Sequence, residues 1–169
     1  FPSTSQGNSR AATSVAASTV TPKLNPKATG KEPLRQGWVF ALVPGDVQNI
    51  ETVVSGILSI CAQNAYILID SGSTHPFVSH AFSRKLNRPL KPMNYLLAVS
   101  SPAGGSMTCA YVYPVCEIVI GDVLLYVDLL PLILDHFDVI LGMDWLTKYH
   151  ASIDCVTKQV IFHPPGLPE

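Results

Sequence analysis

Short apolar stretches separated by turn-forming residues run through the chain from about residue 38 to residue 163. Stretches of this length that are rich in β-branched residues predict strands. The two-residue connection Gly121-Asp122 predicts a hairpin, and Gln63-Asn64 between two apolar stretches predicts another. A last strand pair is predicted on either side of Thr157-Lys158. The pattern therefore predicts a mainly β domain.

Two segments instead repeat their apolar positions at the three- and four-residue spacing of a helix. The first begins at Pro76, a residue suited to the first helical position, and ends before Asn87. The second follows Gly142 and has Asp144 in its first turn, where the helix dipole favours a carboxylate. The predicted fold class is therefore all-β, mainly β with two short helices.

Composition divides the chain unevenly. Residues 1–36 contain few large apolar side chains, and their five cations and one anion give a charge of about +4, which leaves about −5 of the total charge of −1 for the rest. We predict a disordered basic linker over residues 1–36, one domain over 37–163, and a C-terminal linker over 164–169. The mildly acidic domain offers no basic face for nucleic acid.

The longest apolar stretch, residues 118–134, contains Gly121, Asp122, Asp128 and Pro131, which a membrane-spanning helix would not carry together. We therefore expect a soluble protein with no membrane partner.

The four cysteines have neither a CxxC nor a zinc-knuckle spacing and lie in apolar or strand-like segments. They are predicted to be buried free thiols in a reducing compartment: Cys61, Cys109, Cys116 and Cys155. The histidines have no metal-ligand spacing either, so no metal site is predicted.

The candidate functional side chains lie where the apolar stretch 65–69 ends at Asp70. A buried strand that delivers a carboxylate to the interior is costly unless that carboxylate is used. Gly72 permits a tight turn, and the hydroxyls of Ser71 and Ser73 can donate hydrogen bonds to the carboxylate. From these residues alone, an Asx-type turn with Asp70 facing water remains an alternative.

A tip of small residues separates two predicted strands farther along the chain. Its flanking strands are apolar, so the tip is either a flexible lid over a site or an ordinary exposed turn. The candidate lid residues are Ser101, Pro102, Ala103, Gly104 and Gly105.

Three segments together resemble the retropepsins, the aspartic proteases of retroviruses and LTR retrotransposons. They are WVFALVPGD, IDSGSTHPFVS and FDVILGMDWL, and the resemblance covers about residues 38–163. They are most similar to the protease segment of gypsy-type Gag-Pol polyproteins, particularly those of plants. The resemblance implies a retropepsin-like acid protease barrel with one lobe per chain.

The resemblance also implies residue roles. Asp70 would be the catalytic residue, Ser71 would hold the partner subunit's loop where most relatives have Thr, and Ser73 would support the carboxylate. Gly72 belongs to the same turn, and residues 101–105 would form the flap over the substrate. The residues implied to pack against the active turn, in a ψ-shaped arrangement, are Ile140, Leu141 and Gly142.

Aspartic protease chemistry needs two carboxylates around one water, and the pair shares one proton. Of the eight Asp residues, only Asp70 is followed by Ser or Thr and then Gly. The resemblance therefore implies a homodimer with an Asp70 dyad, which cleaves extended peptides of a retrotransposon polyprotein without a cofactor. It also implies an intracellular, cytoplasmic location, within a polyprotein or a virus-like particle.

Three other functions fit part of the pattern. A catalytically silent retropepsin-like module could serve dimerisation or interaction in a Gag-like polyprotein. An ATPase of the actin and hexokinase type shares an apolar strand that enters Asp-x-Gly, but it needs a second phosphate loop and an adenosine site. A serine nucleophile paired with His75 lacks the Gly-x-Ser-x-Gly sequence and an oxyanion loop.

Overall fold

The structure, a computed structural model, describes residues 33–39, 54–102, 104–163 and 166. The mainly β prediction with two short helices is confirmed for these residues. The elements, in chain order, are β1 Leu34–Trp38, β2 Val54–Ile60, β3 Gln63–Ile69, β4 Phe77–Ser79, α1 His80–Ser83, β5 Lys91–Ser100, β6 Ser106–Ile120, β7 Val123–Leu132, β8 Val139–Leu141, α2 Met143–Lys148, β9 Ser152–Asp154 and β10 Gln159–Ile161.

Six strands close into a barrel in the order β6, β2, β3, β8, β4 and β7, and the pairing of β7 with β6 completes the circle. Closure leaves these six strands without a free edge between them. Alternate side chains point inward along each strand, so one face of the barrel strands supplies the core. The largest fully buried side chains of this core are Trp145, Phe82, Ile60, Ile67, Leu86, Ile118, Leu129 and Leu141.

β5 and β1 extend the sheet beyond the barrel. The long strand β6 pairs with β5 in its first half and with β7 and β2 in its second half. β1 then pairs with the outer edge of β5 in parallel, from Leu34 opposite Leu96 to Trp38 opposite Ser100. A second apolar cluster, which includes Leu97, Val99 and Ile140, fills the space below this extension.

Helix α2 is anchored to β7 by two aromatic side chains. The indole nitrogen of Trp145 donates to the carbonyl of Tyr126 at 3.1 Å, and the Tyr149 hydroxyl donates to that same carbonyl at 2.9 Å. The Tyr149 hydroxyl also accepts from the Tyr126 amide at 2.9 Å. Because both rings are buried, these bonds satisfy polar groups that water cannot reach. These bonds hold α2 at one position beside the barrel.

Two predicted boundaries of secondary structure are wrong. The turn between β2 and β3 is Cys61-Ala62, both with positive φ, while Gln63 and Asn64 already belong to β3. The turn shifts because only this register places Ile60, Ala65 and Ile67 in the core together.

The helix predicted from Pro76 begins only at His80. Phe77 and Val78 pair with β7 on one side and with β8 on the other, so tertiary pairing overrides the helical spacing. The side chain of Ser79 then caps α1 by accepting from the Phe82 amide at 3.0 Å.

The four cysteines are free, as predicted, but their burial differs. Cys109 and Cys116 are buried, Cys61 is half-buried, and Cys155 is exposed. Cys155 was expected to be buried, which is wrong because it lies in the turn between β9 and β10, whose residues are exposed.

Several segments of the chain, including most of both predicted linkers, are not described by the structure. Residues 1–32, 40–53, 164, 165 and 167–169 lie outside the described residues, so both linkers remain predictions. β1 begins at Leu34, inside the segment assigned to the N-terminal linker. Among the described residues, no helix is long and apolar enough to cross a membrane.

Candidate active site

Asp70 follows the last residue of β3, and the backbone pairing of the barrel fixes its position. β3 runs parallel to β8, and this pairing continues beyond the strand, where the Asp70 amide donates to the Leu141 carbonyl at 3.1 Å. The strand is buried at Ile67 and Leu68, and exposure increases at Asp70 itself, which is half-buried. The sheet therefore carries the carboxylate to the edge of the core.

Two donors from the following turn hold the Asp70 carboxylate. The Gly72 amide donates to Oδ1 at 2.9 Å, and the Ser73 hydroxyl donates to Oδ2 in a short hydrogen bond. Ser73 is fully buried, whereas Ser71 and Gly72 are exposed. The bond from Gly72 is the Asx-type turn considered as the alternative, but the carboxylate is fixed rather than free in water. The Ser73 hydroxyl thus contacts the carboxylate directly, and its role in catalysis stays a prediction.

Gly142 allows β8 and α2 to approach this turn. A Cβ on Gly142 would lie 2.4 Å from the His75 carbonyl oxygen and 2.6 Å from the Ser73 carbonyl oxygen. The close approach lets the Met143 amide donate to the Ser73 carbonyl at 2.8 Å, and the Asp144 amide donate to the Thr74 carbonyl at 3.1 Å. The first amides of α2, which have no partner within the helix, therefore bind the active turn.

Ile140 and Leu141 are the other residues for which the resemblance implied packing against the active turn. Ile140 and Leu141 are fully buried in β8, which runs parallel to β3 on one side and antiparallel to β4 on the other. Ile140 packs in the cluster below the β1–β5 extension, and Leu141 packs in the barrel core. β8 thus packs in both apolar clusters and fixes the position of Asp70 relative to them.

A network next to the turn was missed by sequence reasoning. The Thr74 hydroxyl lies 2.7 Å from His75 Nδ1, and His75 Nε2 lies 3.4 Å from an Asp144 carboxylate oxygen. The Trp38 amide donates to the same Thr74 hydroxyl at 2.9 Å. A hydroxyl that accepts from an amide still has a proton to donate, so the arrangement fits a His75 with its proton on Nε2. The only sequence signal was that Thr74 and His75 directly follow the Asp-Ser-Gly-Ser turn.

The candidate flap is the tip of the β5–β6 hairpin. Within it, the Ser101 amide donates to the Gly105 carbonyl at 2.9 Å, and the Gly104 amide donates to the Ser101 carbonyl at 3.0 Å. Gly104 has φ of +84°, a conformation that side chains disfavour. Ser101 is buried, Pro102, Gly104 and Gly105 are exposed, and Ala103 lies outside the described residues.

Two cysteine thiols are made poorly reactive by burial. Burial raises the pKa of Cys116 to about 12 and also raises the pKa of Cys109, so both thiols are protonated and poorly nucleophilic at neutral pH. No group of three or more His, Cys, Asp or Glu side chains within the described ranges is placed to hold a metal ion. The turn at Asp70 is therefore the candidate catalytic centre.

Comparisons with known proteins identify the family and the fold of the chain. The family model described as retroviral aspartyl protease matches residues 33–165. The fold is similar to EIAV protease complexed with the inhibitor HBY-793, at 17% identity and a TM-score of 0.50, covering 63% of this chain and 96% of that chain. This likeness confirms the retropepsin-like fold.

A second similar structure is the retroviral protease-like domain of Ddi1 from Leishmania major. It shares 12% identity with a TM-score of 0.49, covering 66% of this chain and 84% of that chain. A comparison with curated proteins found no match.

Proposed function

The chain belongs to the retroviral aspartyl protease family, and on this basis we propose that it is an aspartic endopeptidase that acts as a homodimer. The observation that carries the proposal is the Asp70 carboxylate at the end of a barrel strand, held by Gly72 and Ser73. The Gly72 amide and the Ser73 hydroxyl each donate to one oxygen of the carboxylate, so its orientation is fixed. A pre-oriented carboxylate beside an exposed turn is what activation of a water molecule requires.

In the proposed reaction, Asp70 from each of two chains contacts one water molecule. The ionised carboxylate takes a proton from the water, whose oxygen attacks the carbonyl carbon of the substrate peptide. The other carboxylate is protonated, because two carboxylates this close cannot both be ionised and therefore share a single proton. This protonated carboxylate polarises the carbonyl oxygen of the substrate. Collapse of the tetrahedral intermediate breaks the C–N bond, and the amine leaves with a proton. The products are a carboxylic acid and an amine, so the step consumes one water.

The dimer is proposed because one chain supplies one aspartate of the required kind. Ser71 is exposed on the same turn and is therefore accessible to a second copy of the chain. Ser71 is proposed to hold that partner loop, and residues 101–105 are proposed to cover the bound peptide.

The substrate is proposed to be an extended peptide of a retrotransposon polyprotein of the gypsy type. An extended peptide pairs with strand edges through its backbone, and the outer edge of β5 in the flap hairpin already pairs with one extended segment, β1. The proposal places the enzyme in the cytoplasm, within a polyprotein or a virus-like particle, and requires no cofactor.

The test is Asp70→Asn, which removes the charge while keeping the size of the side chain. We expect kcat/KM for peptide cleavage to fall at least about 1000-fold, since general acid–base catalysis contributes roughly 100- to 10,000-fold per group and both copies change. Asp122→Asn, in the exposed turn between β6 and β7, is the matched control. Equal activity of the Asp70→Asn and control proteins would refute the assignment.

Dimer formation is measured separately by sedimentation at several concentrations. The rate per chain should fall on dilution through the dimer dissociation range, and Asp70→Asn should still form the dimer. A dimer that neither cleaves peptides nor binds a statine-type inhibitor would instead indicate the silent interaction module.

A further inference from the structure

We propose that the chain's own segment Pro33–Val39 occupies one half of the peptide-binding groove in the manner of a substrate and competes there with other peptides. The inference rests on the proposed function, because it assigns a ligand to that same site. It is carried by the hydrogen bonds and direction of β1, which lies outside the closed barrel, and by the burial of Val39, the residue that follows β1.

The backbone bonds of this segment resemble those of a bound peptide. The Trp38 amide donates to the Thr74 hydroxyl at 2.9 Å, and the Thr74 amide donates to the Trp38 carbonyl at 3.0 Å. On the opposite side, the Val39 amide donates to the Ser100 carbonyl at 3.0 Å, and the Leu96 amide donates to the Pro33 carbonyl at 3.2 Å. The segment is therefore clamped between the flap strand β5 and the residues that follow the active turn, as in strand addition of a peptide.

The direction of the segment leads toward the catalytic carboxylate. A Cβ on Gly37 would lie near both Thr74 and His75, and the backbone of the next residue, Trp38, exchanges two hydrogen bonds with Thr74. β1 therefore runs in the opposite direction to the segment 70–75, so its C-terminal end points toward Ser73 and Asp70. It also runs parallel to β5 and so toward the flap tip. A peptide bound in this direction presents the bonds C-terminal to the Val39 position to Asp70.

The side chains indicate which peptides would fit. The Cβ of a larger residue at the Gly37 position would lie 3.1 Å from the Thr74 hydroxyl, 3.2 Å from His75 Nδ1 and 3.3 Å from a Leu97 methyl. Val39 is fully buried in the apolar cluster that includes Leu97 and Ile140. We infer that the groove favours glycine at one position and an aliphatic residue two positions later.

Arg35 and Trp38 contribute less selectivity. The Arg35 guanidinium lies 4.3 Å from the centre of the Tyr95 ring, a cation–π distance, on a strand whose side chains are mostly exposed. Trp38 is 46% exposed. Most of the affinity of this half of the groove is therefore assigned to the backbone bonds and to the Val39 pocket.

Because the segment is covalently attached, its effective concentration at the groove is in the millimolar range. A free peptide that uses the same bonds must displace it and binds correspondingly more weakly. Weakening the segment without changing the groove should therefore improve the binding of peptides added in solution.

The experiment uses the full chain carrying Asp70→Asn, so that binding is measured without cleavage. The probe is a fluorescently labelled synthetic peptide with the sequence of residues 33–39, PLRQGWV. Gly37→Val in the chain crowds the segment against Thr74 and His75, and Gly56→Val is the matched control because a Cβ there meets nothing within 4 Å. We expect about tenfold tighter binding of the probe to Gly37→Val than to Gly56→Val, by fluorescence anisotropy.

A second peptide, PLRQVWV, tests the glycine position and should bind at least tenfold more weakly than PLRQGWV to the Gly37→Val chain. Equal affinity of PLRQGWV for the Gly37→Val and Gly56→Val chains would overturn the proposal. These binding measurements do not depend on catalysis, so a chain without protease activity refutes the proposed function alone.

Amide hydrogen exchange provides a measurement that needs no substitution in the segment. Millimolar PLRQGWV should increase exchange at the Val39 amide of the chain, because β1 is displaced. The Leu96 amide should stay protected, because the added peptide replaces the Pro33 carbonyl. Unchanged protection at Val39 in saturating peptide would show that the segment is a fixed part of the fold.

Discussion

Gly142→Ala tests whether the active turn depends on the close approach of α2. The added methyl carbon would lie 2.4 Å from the His75 carbonyl oxygen, 2.6 Å from the Ser73 carbonyl oxygen and 2.8 Å from the His75 carbonyl carbon. All three are backbone atoms of the turn, so a rotation of a side chain cannot relieve the contact. Gly142 has φ of −93°, which alanine also adopts, so the effect is steric and not conformational.

The cost can be worked from the contacts that must separate. The Met143 and Asp144 amides donate to Ser73 and Thr74 at 2.8 and 3.1 Å, and moving α2 away weakens both bonds. Each such bond contributes about 1 kcal/mol, and overpacking a tight site costs about 1–3 kcal/mol. We therefore expect Gly142→Ala to lower the free energy of unfolding by about 3–5 kcal/mol, a large part of the roughly 5–15 kcal/mol typical of a domain.

The assay is urea unfolding of the wild type, Gly142→Ala and Gly56→Ala, followed by intrinsic fluorescence. Gly56→Ala is the control because its added methyl meets no atom within 4 Å. The two variants should differ by at least about 2 kcal/mol, and peptide cleavage by the folded fraction of Gly142→Ala should also fall because Ser73 and Thr74 move. A difference below about 0.5 kcal/mol would refute the reasoning.

The remaining predictions concern the carboxylate support and the thiols. Ser73→Ala removes the hydroxyl that donates to Asp70, so kcat should fall about tenfold, with Ser152→Ala as an exposed control; an unchanged kcat would contradict the support role. At neutral pH, iodoacetamide should label exposed Cys155 before Cys109 and Cys116, as peptide mass spectrometry would show, and preferential labelling of Cys116 would contradict its burial. Because burial raises the pKa of Cys116 from about 9 to about 12, the folded state favours the protonated thiol; this stabilisation is complete below pH 9 and is lost as the pH rises toward 12. Urea unfolding should therefore show stability decreasing from pH 9 to 11 less steeply in Cys116→Ala than in the wild type.

The sequence by itself determined the features that depend on local pattern. Alternating apolar stretches and turn residues predicted the mainly β fold, and the Gly121-Asp122 turn was correctly predicted because the residue types required there are few. Asp70, Gly72 and Ser73 were selected because a carboxylate followed by small, hydroxylic residues at the end of a strand is unusual. Gly142 was selected by its place in a motif, although the reason for a glycine there is a contact with Ser73 and His75.

Only the tertiary structure decided the features that join distant segments. The turn at Cys61-Ala62 and the strand at Phe77–Ser79 follow from barrel pairing, which outweighs local preference. The network of Thr74, His75 and Asp144 includes a contact between His75 and Asp144, which are 69 positions apart in the chain, and no local pattern marks such a contact. The placement of β1 beside Thr74 is of the same kind, because a strand in a groove is defined by its hydrogen-bond partners and not by its own residues.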